Sequence, residues 1–226
     1  MSNIINADNG VVSGTPGLKY TADSSGIIQF QNNGTNSLQV DASQYVSATV
    51  NGLGQGLLPA EQYYRLNTAL AGLNATGAQS VFGVGVTLVG STVYQFEALY
   101  SLSKSAGTTS ASIGFGFGGT ATLNNIAYTL AYEFDNTSFV TVTGTPQIIF
   151  VQTATNTTAS AASTTAAVFY KCIIKGTVSV NASGTFIPQY SLSAAPGGAY
   201  TTAIGSYFKI SPLGASGSNT SIGTWS

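Results

Sequence analysis

Histidine is absent from this chain, cysteine occurs once, and charge is scarce. Six Lys and Arg stand against seven Asp and Glu, so 6% of the 226 residues are charged and the net charge is −1. Ordinary soluble domains carry ~25% charged residues. Without histidine there is no Ser-His-Asp triad, no Cys-His pair and no His-ligated metal. One cysteine, Cys172, makes neither an internal disulfide nor a cysteine-based zinc site. No metal or other cofactor is expected. Six basic residues spread along the chain are too few for the phosphate-neutralising surface that nucleic acid requires, so no nucleic-acid partner is expected. Long apolar runs are missing as well. The longest, Val81 to Val89, is interrupted by Gly and Thr and falls far short of the ~20 residues of a spanning helix, so no membrane insertion is expected. No basic stretch with an apolar run opens the chain, which reads as made in a cytoplasm without a secretory signal.

Ser, Thr, Asn, Gln and Gly take the place of charge. Apolar residues make up 43% and aromatics 11%, enough for a real core, which excludes charge-driven disorder over most of the chain. A near-neutral surface gives little colloidal repulsion. Permanent assembly or an exposed, chemically robust exterior accounts for such a composition, and both point to a structural or adhesive part. The length allows one domain of about 150–200 residues with an appendage, or one all-β domain.

Period-two alternation dominates. Tyr94, Phe96, Ala98, Tyr100 and Leu102 share one side of a strand, and Val93, Gln95, Glu97 and Ser101 lie mainly on the other. Ile113, Phe115 and Phe117 alternate with glycines. Ile126, Tyr128, Leu130, Tyr132 and Phe134 form another face, as do Val168, Tyr170, Cys172, Ile174, Val178 and Val180 around Gly176. Phe186, Tyr190 and Leu192, then Phe208 and Ile210, complete the series. Turn residues separate these runs, as in an antiparallel sandwich or barrel. The stretch from Ala60 to Gly72 fits a short helix or a strand equally well. The low-complexity segment Thr153 to Ala166 has no core-forming face and predicts an exposed loop. Ile27–Phe30 and Ser37–Val40 flank Asn33-Gly34, which predicts a hairpin. A lone hairpin is marginal in water and must dock on something. Glycines in Asn51–Gly56 suggest a hinge. The division is therefore 1–45 as an N-terminal β segment, 46–59 as a Gly-rich linker, and 60–226 as the sandwich.

Candidate chemistry is thin. Gly114 to Gly119 matches G-x-G-x-x-G by letters, but Thr120–Leu123 follows as an extended segment where a phosphate site needs a helix. The glycines instead predict a strand face approached closely by another backbone or a ring. Glu133 and Asp135 are the best local carboxylate pair, with Glu97 joining them if its strand is adjacent. With Asn136 they suggest calcium, which takes six to eight oxygens, yet too few are visible locally, and solvated carboxylates are the simpler expectation. No catalytic residue is assigned. Cys172 reads as a small buried hydrophobe. Lys171 and Lys175 read as solvated lysines that discourage edge pairing, or as contacts to an acidic partner. Tyr63, Tyr64, Tyr200 and Trp225 lie in or near loops and termini. Each is a candidate for stacking on a sugar or for packing between subunits.

Several stretches resemble exterior virion proteins of tailed bacteriophages, marine and cyanobacterial ones especially. They are Gly17–Gly26 with Ile27–Phe30, Phe82–Leu88, Ser103–Thr109, Gly116–Thr122 and Gly184–Tyr190. The resemblance implies a non-enzymatic virion component of the capsid-decoration, head-fibre or short tail-fibre type, on the particle exterior. It implies a trimer of all-β chains, each an antiparallel β-sandwich (jelly-roll-like) knob with a small N-terminal β-hairpin anchor. Tyr20, Ile27, Ile28, Phe30, Leu38 and Val40 are the expected anchoring residues. The expected partners are two further copies and a major capsid protein or other virion protein. The alternative is a receptor-binding knob that adheres to host surface glycans. A depolymerase is the enzymatic alternative, and it needs a carboxylate pair such as Glu133 and Asp135 at glycosidase spacing.

Overall fold

The computed structural model describes residues 61–136, 138–139, 145–217 and 219–220, with three further strands between residues 28 and 48. The strands are β1 (Ile28–Asn32), β2 (Thr35–Val40), β3 (Val46–Ala48), β4 (Gln62–Arg65), β5 (Leu70–Ala71), β6 (Gly77–Ser80), β7 (Val86–Leu88) and β8 (Thr92–Lys104). Then come β9 (Ala111–Gly118), β10 (Thr122–Asp135), β11 (Gln147–Val151), β12 (Thr157–Ser163), β13 (Val168–Ala182), β14 (Gly184–Leu192), β15 (Thr201–Thr202) and β16 (Tyr207–Ala215). Among the described residues there is no helix. The segment after Pro59 that fitted either state is strand β4.

The chain divides into two units, residues 1–50 with 57–59 and residues 51–56 with 60–226. In the first, β1, β2 and β3 form an antiparallel sheet in that order. The expected hairpin is present, with Ile28 opposite Val40 and Phe30 opposite Leu38. Strand β3 falls in the stretch that the sequence reads as linker. Tyr20 and Ile27 lie outside the described residues.

The second unit is a sandwich of two antiparallel sheets. The larger runs β4-β16-β8-β13-β10-β11, with β15 and β5 beside the other half of β8. The smaller runs β12-β9-β14, with β6 and β7 sharing the far side of β14. The pairings are nested. The first strand, β4, lies beside the last, β16, and β5 beside β15. Likewise β6 and β7 lie beside β14, β8 beside β13, and β9 beside β12. A long antiparallel ribbon rolled on itself produces this order, which is the jelly roll. The β10–β11 hairpin is the innermost nested pair. Inserted between β9 and β12, it extends the larger sheet beyond β13.

Alternation decides which face of each strand is inside. Between the sheets lie the rings of Phe96, Tyr100, Phe115, Phe117, Tyr128, Tyr170 and Phe186, all buried. Phe117 stacks on Phe186 at 4.5 Å, and Phe96 meets Phe117 edge-on at 5.0 Å across the sandwich. Such ring pairs add about 0.5–1.5 kcal/mol each beyond their burial. The inner tyrosines differ in how their hydroxyls are placed: those of Tyr100 and Tyr128 are buried without a hydrogen-bond partner, whereas two others are bonded. Tyr94 accepts from the amide of Val89 at 2.9 Å, and Tyr170 and Ser160 share a bond of 2.6 Å.

Gly114 and Gly116 behave as the strand reading expects. A Cβ on Gly116 would stand 2.7 Å from the carbonyl oxygen of Ala154, and one on Gly114 would stand 2.8 Å from that of Thr157. The smaller sheet is therefore closed by backbone packed on glycine. The low-complexity segment supplies that backbone, and here the loop expectation is corrected. Residues Thr157–Ser163 are edge strand β12, paired to β9. Small Ala, Ser and Thr side chains leave no apolar periodicity to read, but they permit close pairing over a glycine-bearing strand. Two charged residues, Lys104 and Asp135, are buried among the described ones. Lys104, at the end of β8, donates from Nζ to the carbonyls of Gly107 (2.8 Å) and Thr165 (2.7 Å), and loss of water holds its pKa below the ordinary value.

Two expected outcomes follow from this packing. A Cβ on Gly176 would meet the carbonyl oxygen of Ala127 at 2.3 Å and Cβ of Tyr128 at 2.4 Å. Gly176→Ala should cost about 1–3 kcal/mol in urea unfolding, as overpacked sites do. Cys172 is buried on the inner face of β13, and burial pushes its thiol well above its usual pKa. A thiol reagent should leave native protein unlabelled and react stoichiometrically once urea unfolds it. Rapid labelling of native protein would contradict this packing.

Candidate functional site

Strands β8 and β13 pair from Thr92–Lys104 to Val168–Val180 without a register shift. With every even residue of β8 turned inward, the odd ones form the outer face of the larger sheet. One row across that face reads Tyr63, Lys209, Glu97, Lys175, Thr129, Phe150 on β4, β16, β8, β13, β10 and β11. The next row reads Arg65, Tyr207, Leu99, Ile173, Ala131, Ile148 on the same strands. Beyond them Ser101, Lys171 and Glu133 stand side by side.

The face has two halves. Toward β11 it is apolar, with Leu99, Ile173, Ile148 and Phe150 all exposed, the last two to 73% and 67%. A groove of about 440 Å³ runs here between Leu99, Ala131, Phe139, Pro146 and Ile173, with Glu133 and Lys171 at its side. Toward β4 the face is charged and aromatic. The rings of Tyr63 and Tyr207 stack at 5.5 Å. Tyr207 donates its phenolic hydrogen to Glu97 Oε1 at 2.5 Å, while Lys175 Nζ lies 3.1 Å and Lys209 Nζ 3.9 Å from Glu97 Oε2. The bond to Glu97 is the main reason that the Tyr207 phenol is pushed up to about 12. The strands of the smaller sheet carry no charged residue at all. Six charged side chains, those of Arg65, Glu97, Glu133, Lys171, Lys175 and Lys209, thus gather on one outer face in a chain with few charges.

Lysines 171 and 175 are placed differently from the expectation. Strand β13 lies between β8 and β10, so neither lysine guards an edge. Lys171 bonds Glu133 at 3.2 Å and Lys175 bonds Glu97. The three carboxylates do not converge as a reacting pair. Glu97 and Glu133 stand on strands separated by β13, and buried Asp135 accepts from the amide of Ser138 at 3.4 Å. Among the described residues no three Asp, Glu, Cys or His gather as a metal would require.

Of the four aromatic candidates, Tyr63 and Tyr64 are exposed on edge strand β4. Tyr64 points to the sandwich rim, edge-on to Phe82, beside a cleft of about 190 Å³ lined also by Val84, Pro188 and Phe208. Tyr200 is not a surface contact. It is buried between Tyr170 and Tyr190, at 6.2 and 6.0 Å, because the Pro196–Gly198 turn returns the chain onto the core before β15. Trp225 lies outside the described residues, and the side chains of the anchoring candidates Ile28, Phe30, Leu38 and Val40 are not described. Tyr207 and Lys209 escaped the sequence reading because only Phe208 and Ile210 carry the core pattern there. Tyr207 and Lys209 are outward by default, and nothing local says that Glu97 stands opposite Lys209 on the neighbouring strand.

No family model and no curated protein matches the chain. Among solved structures it is similar to a chain in the structure of the infectious bursal disease virus Gx strain, at 12% identity and a TM-score of 0.19, over 94% of this chain. The chain spans 57% of the length of that one, and so faint a likeness carries no argument.

Glu97 supplies a test of the charged half. The Tyr207 hydrogen bond first, and the Lys175 bond second, hold its carboxyl below the usual 4.5. A carboxyl with a lower pKa in the folded state stabilises the fold above the unfolded value and loses that contribution as pH falls through the folded value. Urea midpoints should therefore fall as pH drops below the unfolded value of about 4.5, and Glu97→Gln should flatten that fall. Direct titration by NMR should show Glu97 ionising below 4.5.

Proposed function

We propose that this chain is a non-enzymatic structural protein of a bacteriophage particle exterior, assembled with copies of itself. One observation supports it above the rest. The apolar half of the larger sheet's outer face leaves Leu99, Ile173, Ile148 and Phe150 in water, on a molecule with almost no charge to keep copies apart. Contiguous exposed apolar surface of this kind marks interaction sites. The work is mechanical. Backbone groups are satisfied in the sheets, the aromatic core holds the roll, and covering the apolar rows drives assembly by removing their area from water at about 25 cal/mol per Å². The N-terminal segment, 1–45, serves as the anchor on a larger shell. The resemblance to phage decoration and short-fibre proteins supports a trimer and a place on the virion.

Sedimentation at micromolar concentration tests the reading. The native chain should sediment as a trimer. Ile148→Lys with Phe150→Lys should shift it to monomer while leaving the circular dichroism and urea midpoint nearly unchanged, because both side chains face solvent in the single chain. A well-behaved native monomer would overturn self-assembly. Purified protein should also coat particles that lack it, and deletion of 1–45 should abolish coating.

A further inference from the structure

We propose that the Tyr63–Tyr207 half of the outer face is a binding site for an acidic saccharide, a chain of sugar rings bearing carboxylate or sulfate groups. This does not rest on the assembly reading. It uses the opposite half of the face, and its residues lie on β4, β16, β8 and β13.

The first reason is the ring stack. Tyr63 is 56% exposed yet held flat against Tyr207, and Tyr207 is pinned by its 2.5 Å bond to Glu97. An exposed aromatic plane that is already fixed binds a flat apolar partner at little entropic cost. The C–H face of a pyranose is such a partner. The second reason is charge. Arg65, Lys175 and Lys209 share two adjacent rows with one carboxylate, Glu97, and exposed Glu61, two residues before Tyr63, adds a second, so three positive groups stand against two negative ones. The excess favours an anion. Much of the scarce positive charge of this chain has been spent in one place, beside its most exposed aromatic stack.

The third reason separates a sugar from a nucleic acid, whose bases also stack and whose phosphates also seek lysine. Glu97 stands in the middle of the row, with Lys209 on one side and Lys175 on the other. A carboxylate there opposes the dense, unbroken run of charge on a phosphate backbone more than the sparser anionic groups of an acidic sugar, and it accepts hydrogen bonds from the sugar's hydroxyls. Three cations also supply little counterion release for a polynucleotide. From β4 to β13 the row crosses three strand spacings, roughly 14 Å, which suits a short oligosaccharide lying across the strands.

The test is titration of the full chain with trigalacturonate, a mannuronate trisaccharide and a sulfated heparin disaccharide. Maltotriose and a short oligothymidylate serve as comparisons. At least one acidic sugar should bind more tightly than maltotriose and the oligonucleotide, and added salt should weaken it. Tyr63→Ala should weaken that binding at least tenfold, and Lys175→Gln with Lys209→Gln should erase the preference over maltotriose. Ile148→Lys with Phe150→Lys should leave it unchanged. Silence toward all three acidic sugars, tighter binding of the oligonucleotide, or full binding by Tyr63→Ala would each overturn the site. Sedimentation of Tyr63→Ala separates the two readings, because assembly should persist when sugar binding is lost.

Discussion

The register between β8 and β13 is the constraint on which everything else in the larger unit depends. Thirteen residues of one strand face thirteen of the other with no bulge. Because the side-chain period is two, a slip of β8 by one residue would turn Phe96 and Tyr100 to water and bring Glu97 and Leu99 into the core, and a slip of β13 would turn Tyr170 outward and bring Lys171 and Lys175 in. The cost of burying such charges without their partners makes either slip prohibitive. One decision thus sets both faces. The inner face becomes the aromatic core, and the outer face inherits whatever the odd positions hold.

That inheritance explains the asymmetry of the sandwich. The outer face of the smaller sheet is mostly Gly, Ser, Thr, Ala and Gln, with Ile187 among them, covered in part by chain packed on Gly114 and Gly116. The larger sheet keeps its outer face open and carries there both the exposed aliphatic rows and the ion pairs. Covered glycine on one side and a patterned, uncovered surface on the other give the molecule a front and a back. The front in turn divides between a half suited to burial and a half suited to polar contact.

Much of this was legible in the sequence. The alternating runs named the inner residues of β8, β9, β10, β13, β14 and β16 correctly, since a half-buried strand writes its burial in every second letter. The glycines of β9 and the inert Cys172 were legible for the same reason. What stayed hidden depends on pairings between distant segments. Nothing local says that β4 lies beside β16, so the meeting of Tyr63 with Tyr207 could not be read, nor could the partners of Lys171 and Lys175. Tyr200 was misread because a tyrosine after Pro-Gly-Gly has the neighbours of a loop residue, and only the return of the chain past Tyr170 and Tyr190 makes it core. Strand β12 was missed because its pairing relies on small side chains, which carry no apolar signal.

The β10–β11 hairpin is the innermost pair of the nested order. Each nested pair outside it brackets those within, so lengthening any of those connections disturbs what it encloses. The hairpin encloses nothing. It enters at the innermost bend, between β9 and β12, and leans its flank on β13. New sequence can enter or leave at its tip, between β10 and β11, without re-threading the ribbon. The tip is thus the natural place for an evolving lineage, or an engineer, to graft a different recognition element onto the same body.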